Sequence, residues 1–404
     1  MVDLGEQPPG GSFPRPGDVP LQPMPLRLGV CLGCGLAQLA DPSPPEADEL
    51  DAPTPLSSAT VGAHARRLVE DLFERGLATP TSRVLSLASH GGHLAELLRD
   101  RGVPVTVVDH LAERVRRLRG AGVDAVSGTL DDEGASAIDL LGRFDLIVDF
   151  YLMAHLRSPR LAFHRIARLL APGGTFVLEF DHLLATVEGG QWDAIRHGHQ
   201  SYLTLAWLAR EAESVGLSVV DAMPQPVYGG ALRILMQASR RSSPRVAELV
   251  DLEVRASLGL PTGLNPLRDA VERARREVVP HLASARTNER PVVGYGAPAR
   301  AITFLNALAV GPDLLPFVVD RSIDKHGRLI PGVGIPIRAP EVLLEDPPTG
   351  ILVLTWDLID EVRAALAPLV DRGSRLLVAL PRLTDVTEGI EHQMGGGTRL
   401  PGIR

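Results

Sequence analysis

Apolar residues recur along this chain in two rhythms, and their alternation outlines an architecture. Short continuous apolar runs at 83–87, 105–109, 144–148 and 175–180 have the length and β-branched content of buried strands. Between them, apolar positions three and four apart predict helices over 64–77, 94–101 and 163–170, the last stopped by Ala171-Pro172-Gly173-Gly174. Strand and helix alternating in this way predict a parallel sheet with helices on both faces. A helix over 203–215 and strands over 217–222 and 231–237 close the unit, the two strands being near enough to pair antiparallel through the 224–230 loop. A charged helical stretch runs from 245 to about 285. Beyond it the pattern predicts a second, smaller α/β unit, with strands at Val292, Phe317, Ile351 and Leu376 and a helix over 297–307. The first fifty residues are rich in Pro, Gly and Asp around one ordered-looking island at 26–36. The expected division is therefore an N-terminal segment 1–50, a first α/β domain 60–240, a helical connector 241–290 and a second α/β domain 291–404.

Composition narrows the class of protein. A formal net charge of −8 over 404 residues argues against nucleic acid or an anionic membrane as the main partner. Two cysteines cannot make a disulfide framework, which makes a reducing cytoplasm the expected location. The polar, proline-rich N-terminus lacks the basic and apolar regions of a signal peptide, and no apolar run approaches a membrane span. Monomer and dimer both remain open.

Two glycine turns carry candidate chemistry. The turn after Leu87 has a strand before it, small residues within it and a helix after it, the setting in which a doubly wound sheet binds an adenosyl ligand. Ser86, Ala88, Ser89 and Gly91 are its candidate contacts, together with Asp149 on the strand that begins at Phe144. Asp109, ending the next strand, is placed to accept hydrogen bonds from ribose hydroxyls. The second turn, Val292-Val293-Gly294-Tyr295-Gly296-Ala297-Pro298-Ala299-Arg300, points backbone N–H groups and a helix N-terminus at an anion; the alternative is a tight packing join. Lys325 is the only lysine among 41 basic residues. With Arg300 it favours a diphosphate site around Tyr295, Gly296 and Ala297, with Trp356 as a stacking wall. Arg233, beside Gly229-Gly230, is a pocket residue or a surface strand arginine.

Three runs bear a resemblance: Glu179-Phe180-Asp181-His182-Leu183-Leu184, the stretch from Gln191 through Arg196-His197-Gly198-His199-Gln200-Ser201-Tyr202, and Val227-Tyr228-Gly229-Gly230-Ala231-Leu232-Arg233. In that order they resemble the nucleotide-sugar C-methyltransferases of antibiotic deoxysugar pathways. Segments 294–300 and 320–337 and Leu354-Thr355-Trp356-Asp357 resemble that family's C-terminal domain, and Ala171-Pro172-Gly173-Gly174 resembles the bend of class I S-adenosylmethionine (SAM) methyltransferases. The resemblance covers nearly the whole chain. It implies a small zinc domain, a class I SAM-binding domain and a second Rossmann-like domain, with SAM as cofactor and a nucleotide-linked 4-keto-deoxysugar between the last two. It also implies the reaction: a base removes the proton on C-3, and the enolate takes the methyl group.

Carried over by position, His199 falls on the family's general base, His155 on the histidine after the fourth strand, and Tyr151 on an asparagine of the same motif. Gly198 stands where the family has a glutamate before the base, and Arg196 where it has a tyrosine; His197 and Asp193 are the candidate substitutes. Ser86 replaces an acid, His90-Gly91 an Asn-Asp pair, and residues 56–60 lack the usual aromatics. Cys31 and Cys34 supply half of a four-cysteine zinc site, so residues 1–50 read as a remnant zinc-ribbon-like segment. The alternative function is a member of the family that no longer methylates, and instead uses the enolate for epimerisation or only binds its ligand.

Overall fold

The computed structural model describes residues 1–20, 22–41, 58–87, 90–131, 137–238, 240–287 and 291–389. Ala88, Ser89 and the first two residues of the 56–60 stretch lie outside the described residues. Strands β1 (Val2–Gln7), β2 (Met24–Val30) and β3 (Ala37–Leu39) come first. The middle lobe follows, with α1 (Ala59–Glu74), β4 (Val84–Leu87), α2 (His93–Arg99), β5 (Val105–Asp109), α3 (Ala112–Gly120), β6 (Asp124–Ser127), β7 (Phe144–Phe150) and α4 (Pro159–Leu169). It continues through β8 (Leu170–Asp181), α5 (Leu183–Glu188), β9 (Ser201–Tyr202), α6 (Leu205–Ser214), β10 (Leu217–Gln225) and β11 (Ala231–Ala238).

The middle sheet has seven strands in the order β10-β11-β8-β7-β4-β5-β6. β11 runs antiparallel to both of its neighbours, and the other adjacent pairs are parallel. From β4 the chain winds outward through β5 to β6, and from β7 it winds the other way to β8. The crevice outside the carboxyl ends of β4 and β7 is thus a topological switch point, where such sheets hold ligands. β8 begins five residues before the predicted start and passes through Pro172-Gly173-Gly174, with Gly173 at φ +78. The bend therefore lies inside the strand rather than ahead of it.

The connector divides between two cores. α7 (Pro244–Arg255) places Val246 and Leu249 in the middle-lobe core with Trp207 and Ala212. α8 (Asn265–Thr287) buries Leu267, Ala270, Val271, Ala274, Val278 and Leu282, one stripe at helical spacing, in the core of the C-terminal lobe. That lobe consists of β12 (Val292–Tyr295), α9 (Ala299–Ala307), β13 (Val318–Val319), β14 (Ile337–Arg338), α10 (Val342–Glu345), β15 (Gly350–Val353), α11 (Ile359–Val370), β16 (Arg375–Val378) and β17 (Thr384–Asp385). Its six strands run in the order β14-β13-β12-β15-β16-β17, all parallel except β17. The second switch point lies outside β12 and β15.

The N-terminal segment departs from expectation. In place of one island, β1, β2 and β3 form a four-stranded antiparallel sheet with β9, the short strand that follows His199. Val2, Leu4, Leu26, Leu28, Ala37 and Leu39 share a single core with α8 and the C-terminal lobe. So short a segment has too little apolar surface to bury a core of its own, so it borrows one. Among the described residues no helix is long and apolar enough to cross a membrane.

Candidate active site between two α/β lobes

The carboxyl end of β8 is organised by Glu179, which is buried. His64 of α1 donates to its Oε1, as does the Tyr151 hydroxyl at 2.9 Å, and Arg233 Nε donates to Oε2 at 2.8 Å. Arg233 also reaches Asp71 Oδ2 at 3.1 Å, so this arginine of β11 spends donors on two carboxylates of the protein itself. Tyr151 sits at φ +68, an uncommon conformation for a residue with a Cβ, and its ring packs edge-on against Tyr228, 5.0 Å away. Burial raises the pKa of Tyr151, reinforced by the Glu179 charge, so its hydroxyl remains a donor. The sequence reading missed this hub. Its signal was an acid inside an otherwise apolar strand, since buried charges are rarely left unpaired.

The loop between α5 and β9 carries the histidine motif and is seated on the C-terminal lobe. Trp192 stacks on Phe304 at 5.3 Å, and Thr303 Oγ1 donates to the Ile195 carbonyl at 3.1 Å. The Tyr202 hydroxyl accepts from Arg196 N at 2.9 Å, closing the loop on itself. The His155 and His199 rings meet edge to face, 4.5 Å apart at 77°. His199 is buried, and the Arg196 guanidinium donates to its Nε2. His197 turns to the N-terminal sheet, with Nε2 3.3 Å from the Pro25 carbonyl. Asp193 accepts from Arg300 at 2.9 Å and from Trp356 Nε1 at 3.0 Å, while the Arg300 guanidinium lies 4.5 Å from the Trp356 ring centre. Arg300 and Trp356, two candidate substrate contacts, thus meet at one carboxylate of the middle lobe.

At the first switch point, Gly91 and Gly92 turn the chain at φ +71 and +85, a conformation that favours glycine. Ser86 is buried on β4. Asp149 has no solvent exposure; one oxygen accepts from Leu152 N at 2.7 Å and Oδ2 has no partner among the described residues. Burial pushes its pKa up to about 7. An orphaned acceptor beside a glycine turn suits the donor groups of an adenosyl ligand. Asp109 is also buried, with Oδ1 accepting from Leu111 N at 2.9 Å and Oδ2 from Arg114 at 3.0 Å. Each oxygen keeps one lone pair for a ribose hydroxyl.

The second glycine turn meets an anion that the chain supplies. Ala297 N donates to Asp320 Oδ2 at 2.6 Å, and Lys325 Nζ donates to the Ala297 carbonyl at 2.8 Å. Lys325 also lies 3.5 Å from Asp320 and 5.0 Å from the centre of the Phe13 ring. Asp320 therefore takes one amide of this turn, and Lys325 links the turn to Phe13 of the N-terminal segment. Tyr295 is buried, which raises its pKa. Gly296 has φ +90, and a Cβ there would stand 2.5 Å from Thr355 Cγ2. Replacing Gly296 with Ala is expected to cost about 1–3 kcal/mol, read as a lower thermal midpoint of the full chain. An unchanged midpoint would mean that the turn is not packed this tightly.

Zinc does not fit the described residues. Cys31 and Cys34 are both free and are the only cysteines in the chain, and no group of three or more metal-ligating side chains occurs among the described residues. A closed structural site takes four ligands. Amides of Cys34 and Gly33 lower the pKa of the Cys31 thiol, but the sheet around it is held by packing. A chelator, or Ser at both positions 31 and 34, is expected to leave the melting temperature essentially unchanged, whereas Leu28→Ala should cost about 2–5 kcal/mol. Melting that collapses on chelation would refute this.

The middle sheet, with one reversed strand beside β8 and a glycine turn after β4, is that of a class I SAM-dependent methyltransferase, and SAM is the cofactor. Residues 61–222 match the family described as "Methyltransferase domain", 226–381 the "C-methyltransferase C-terminal domain", and 1–47 the "Putative zinc binding domain". The chain belongs to this C-methyltransferase family. It is 28% identical over 364 residues to the C-methyltransferase NovU of Streptomyces niveus, spanning 88% of this chain and 86% of that one. It is 29% identical over 167 residues to the ubiquinone biosynthesis O-methyltransferase of Xylella fastidiosa (strain M23), 37% of this chain and 67% of that one. The solved structure of the CcbJ methyltransferase from Streptomyces caelestis aligns with 44% of this chain and 90% of its own, at 18% identity and a TM-score of 0.35.

Proposed function

We propose that this enzyme methylates C-3 of a nucleotide-linked 4-keto-deoxysugar in antibiotic or related secondary metabolism. The observation that carries the reading is the His155–His199 pair, 4.5 Å ring to ring, at the carboxyl side of the middle sheet. Asp193 of the histidine loop accepts from Arg300 and Trp356 of the other lobe, which supports a site between the two. The ketone acidifies the proton on C-3, and His199 takes that proton as the electron pair moves into the enolate. His155 is the donor at hand for the enolate oxygen. When bound there, SAM would supply an electrophilic methyl group on sulfur for the enolate carbon to take. Gln191 and Asp193 fasten the histidine loop to Arg300 and Trp356, which holds the base in one place.

Two measurements test the reading. Calorimetry should show S-adenosylhomocysteine (SAH) binding, and dTDP-4-keto-6-deoxyglucose in heavy water should take up deuterium at C-3 in the presence of enzyme. Absence of both would end the proposal. Nucleotide-sugar binding and exchange without SAH binding would favour epimerisation on the same scaffold.

A further inference from the structure

One short stretch of the C-terminal lobe, the turn after β15 and the first turn of α11, grips the middle lobe at two points. At its start, Trp356 donates to Asp193 on the histidine loop, as Arg300 does. The Trp356 ring also closes on Gly229, where a Cβ would stand 2.6 Å from its Cη2. Further along the stretch, Glu361 reaches α1. Its Oε2 accepts from the Ser58 hydroxyl at 3.0 Å, the Thr60 hydroxyl at 2.8 Å and Thr60 N at 3.3 Å, while Oε1 accepts from Arg321 at 2.9 Å. A carboxylate suits this end of a helix, where Ser58 Oγ caps Val61 N at 3.3 Å. Less than two turns on, His64 donates to Glu179, the acceptor it shares with the Tyr151 hydroxyl, and Asp71 takes Arg233. So α1 is fixed to the middle lobe along its length and to the C-terminal lobe at its first turn. Between the two grips the middle lobe presents Tyr151 and Tyr228, whose rings meet at 5.0 Å.

The two grips differ in what it costs to part them. Asp193 is 3% exposed, and freeing it would strip a buried carboxylate of both donors and break the Trp192–Phe304 stack beside it. Glu361 is 19% and Arg321 53% exposed. The other partners of Glu361 are two hydroxyls and an amide at a helix end, all groups that water can satisfy. Lobes that part to admit a ligand part where least is lost.

We propose that the contact between Glu361 and the first turn of α1 is the releasable edge of the cleft: it opens to admit the nucleotide sugar and re-forms over it, while the Asp193 contact stays as the fixed edge. Glu361 is then a positioning residue that closes one lobe on the other without touching the sugar. The inference rests on the reading of a sugar site between the lobes.

The test compares Glu361→Ala, Glu361→Gln and Arg321→Ala, each checked for folding by its thermal melt. Glu361→Ala is expected to raise the KM for dTDP-4-keto-6-deoxyglucose 10- to 30-fold, with kcat and the SAH dissociation constant within threefold of wild type. Glu361→Gln keeps an oxygen for Ser58 and Thr60 and should bring KM back to within threefold, and Arg321→Ala should leave it there. A KM change below threefold in Glu361→Ala, a loss carried by kcat instead, or an equal effect of Arg321→Ala overturns the proposal. Hydrogen exchange in the full chain without ligand tests the edge itself. Glu361→Ala should speed exchange of the Thr60 amide at least tenfold and leave the Trp356 indole N–H unchanged, so that one edge loosens while the other holds. No acceleration at Thr60, or equal acceleration at both, refutes the proposal even if no sugar turns over. The expected exchange result without turnover would leave the releasable edge standing and sink the choice of sugar.

Discussion

His199→Gln is expected to lower the rate of C-3 proton exchange and of methyl transfer by roughly 10²–10⁴-fold, the usual contribution of a positioned general base. SAH binding should persist, because Asp149 belongs to β7 and the glycine turn to the β4–α2 join, not to the loop that carries His199. The amide of Gln can still accept from Arg196, so the loop pinned by Tyr202 should keep its shape. The substitution therefore removes the base with little else. Steady-state rates with SAM and the keto-sugar, set beside SAH calorimetry on the same preparation, decide the matter. A loss smaller than tenfold would mean that another group takes the proton, and His155, in van der Waals reach of the same ring, would be the first to examine.

Glu179→Ala is expected to destabilise the middle lobe by about 3–5 kcal/mol, the cost of leaving a buried charge without its partner. Arg233, 4% exposed, would keep only Asp71 among the described residues, and His64 and Tyr151 would lose their shared acceptor. The denaturant midpoint reads this directly, and a shift equivalent to less than about 1 kcal/mol would show that the hub is not held as described. The pH dependence follows with a definite sign. Burial pushes the Glu179 pKa up, but the hydrogen bond from His64 and the charge of Arg233 outweigh it and hold the carboxyl below its ordinary value. A group lowered on folding contributes stability that is present above its unfolded pKa and lost as pH falls through the folded one. The wild type should therefore weaken on acidification below about pH 4.3, the unperturbed glutamate value, and Glu179→Gln should show a flatter profile there.

The frame of this protein was largely written in its apolar rhythm. Buried parallel strands are continuous apolar runs, which is why β4, β5, β7, β12, β15 and β16 could be placed from Val84, Val105, Phe144, Val292, Ile351 and Leu376 alone. β1 was not legible, because Val2 and Leu4 are too short an alternation to announce a strand. It forms because β2 and the core under α8 are there to receive it. The site divides along the same line. The motifs marked His155, His199, the glycine turns, Arg300 and Trp356 as residues able to bind or to move a proton. They could not show that Asp193 ties Arg300 and Trp356 together across 107 and 163 residues of chain, or that Asp320 accepts from the amide of Ala297 in the second glycine turn. Sequence by itself determined where the central strands of both sheets lie along the chain and which side chains can carry charge. Only the tertiary structure decided which of those charges are already matched, because partners separated by a hundred residues meet only after the lobes have packed, and burial then makes any unmatched charge too costly to keep.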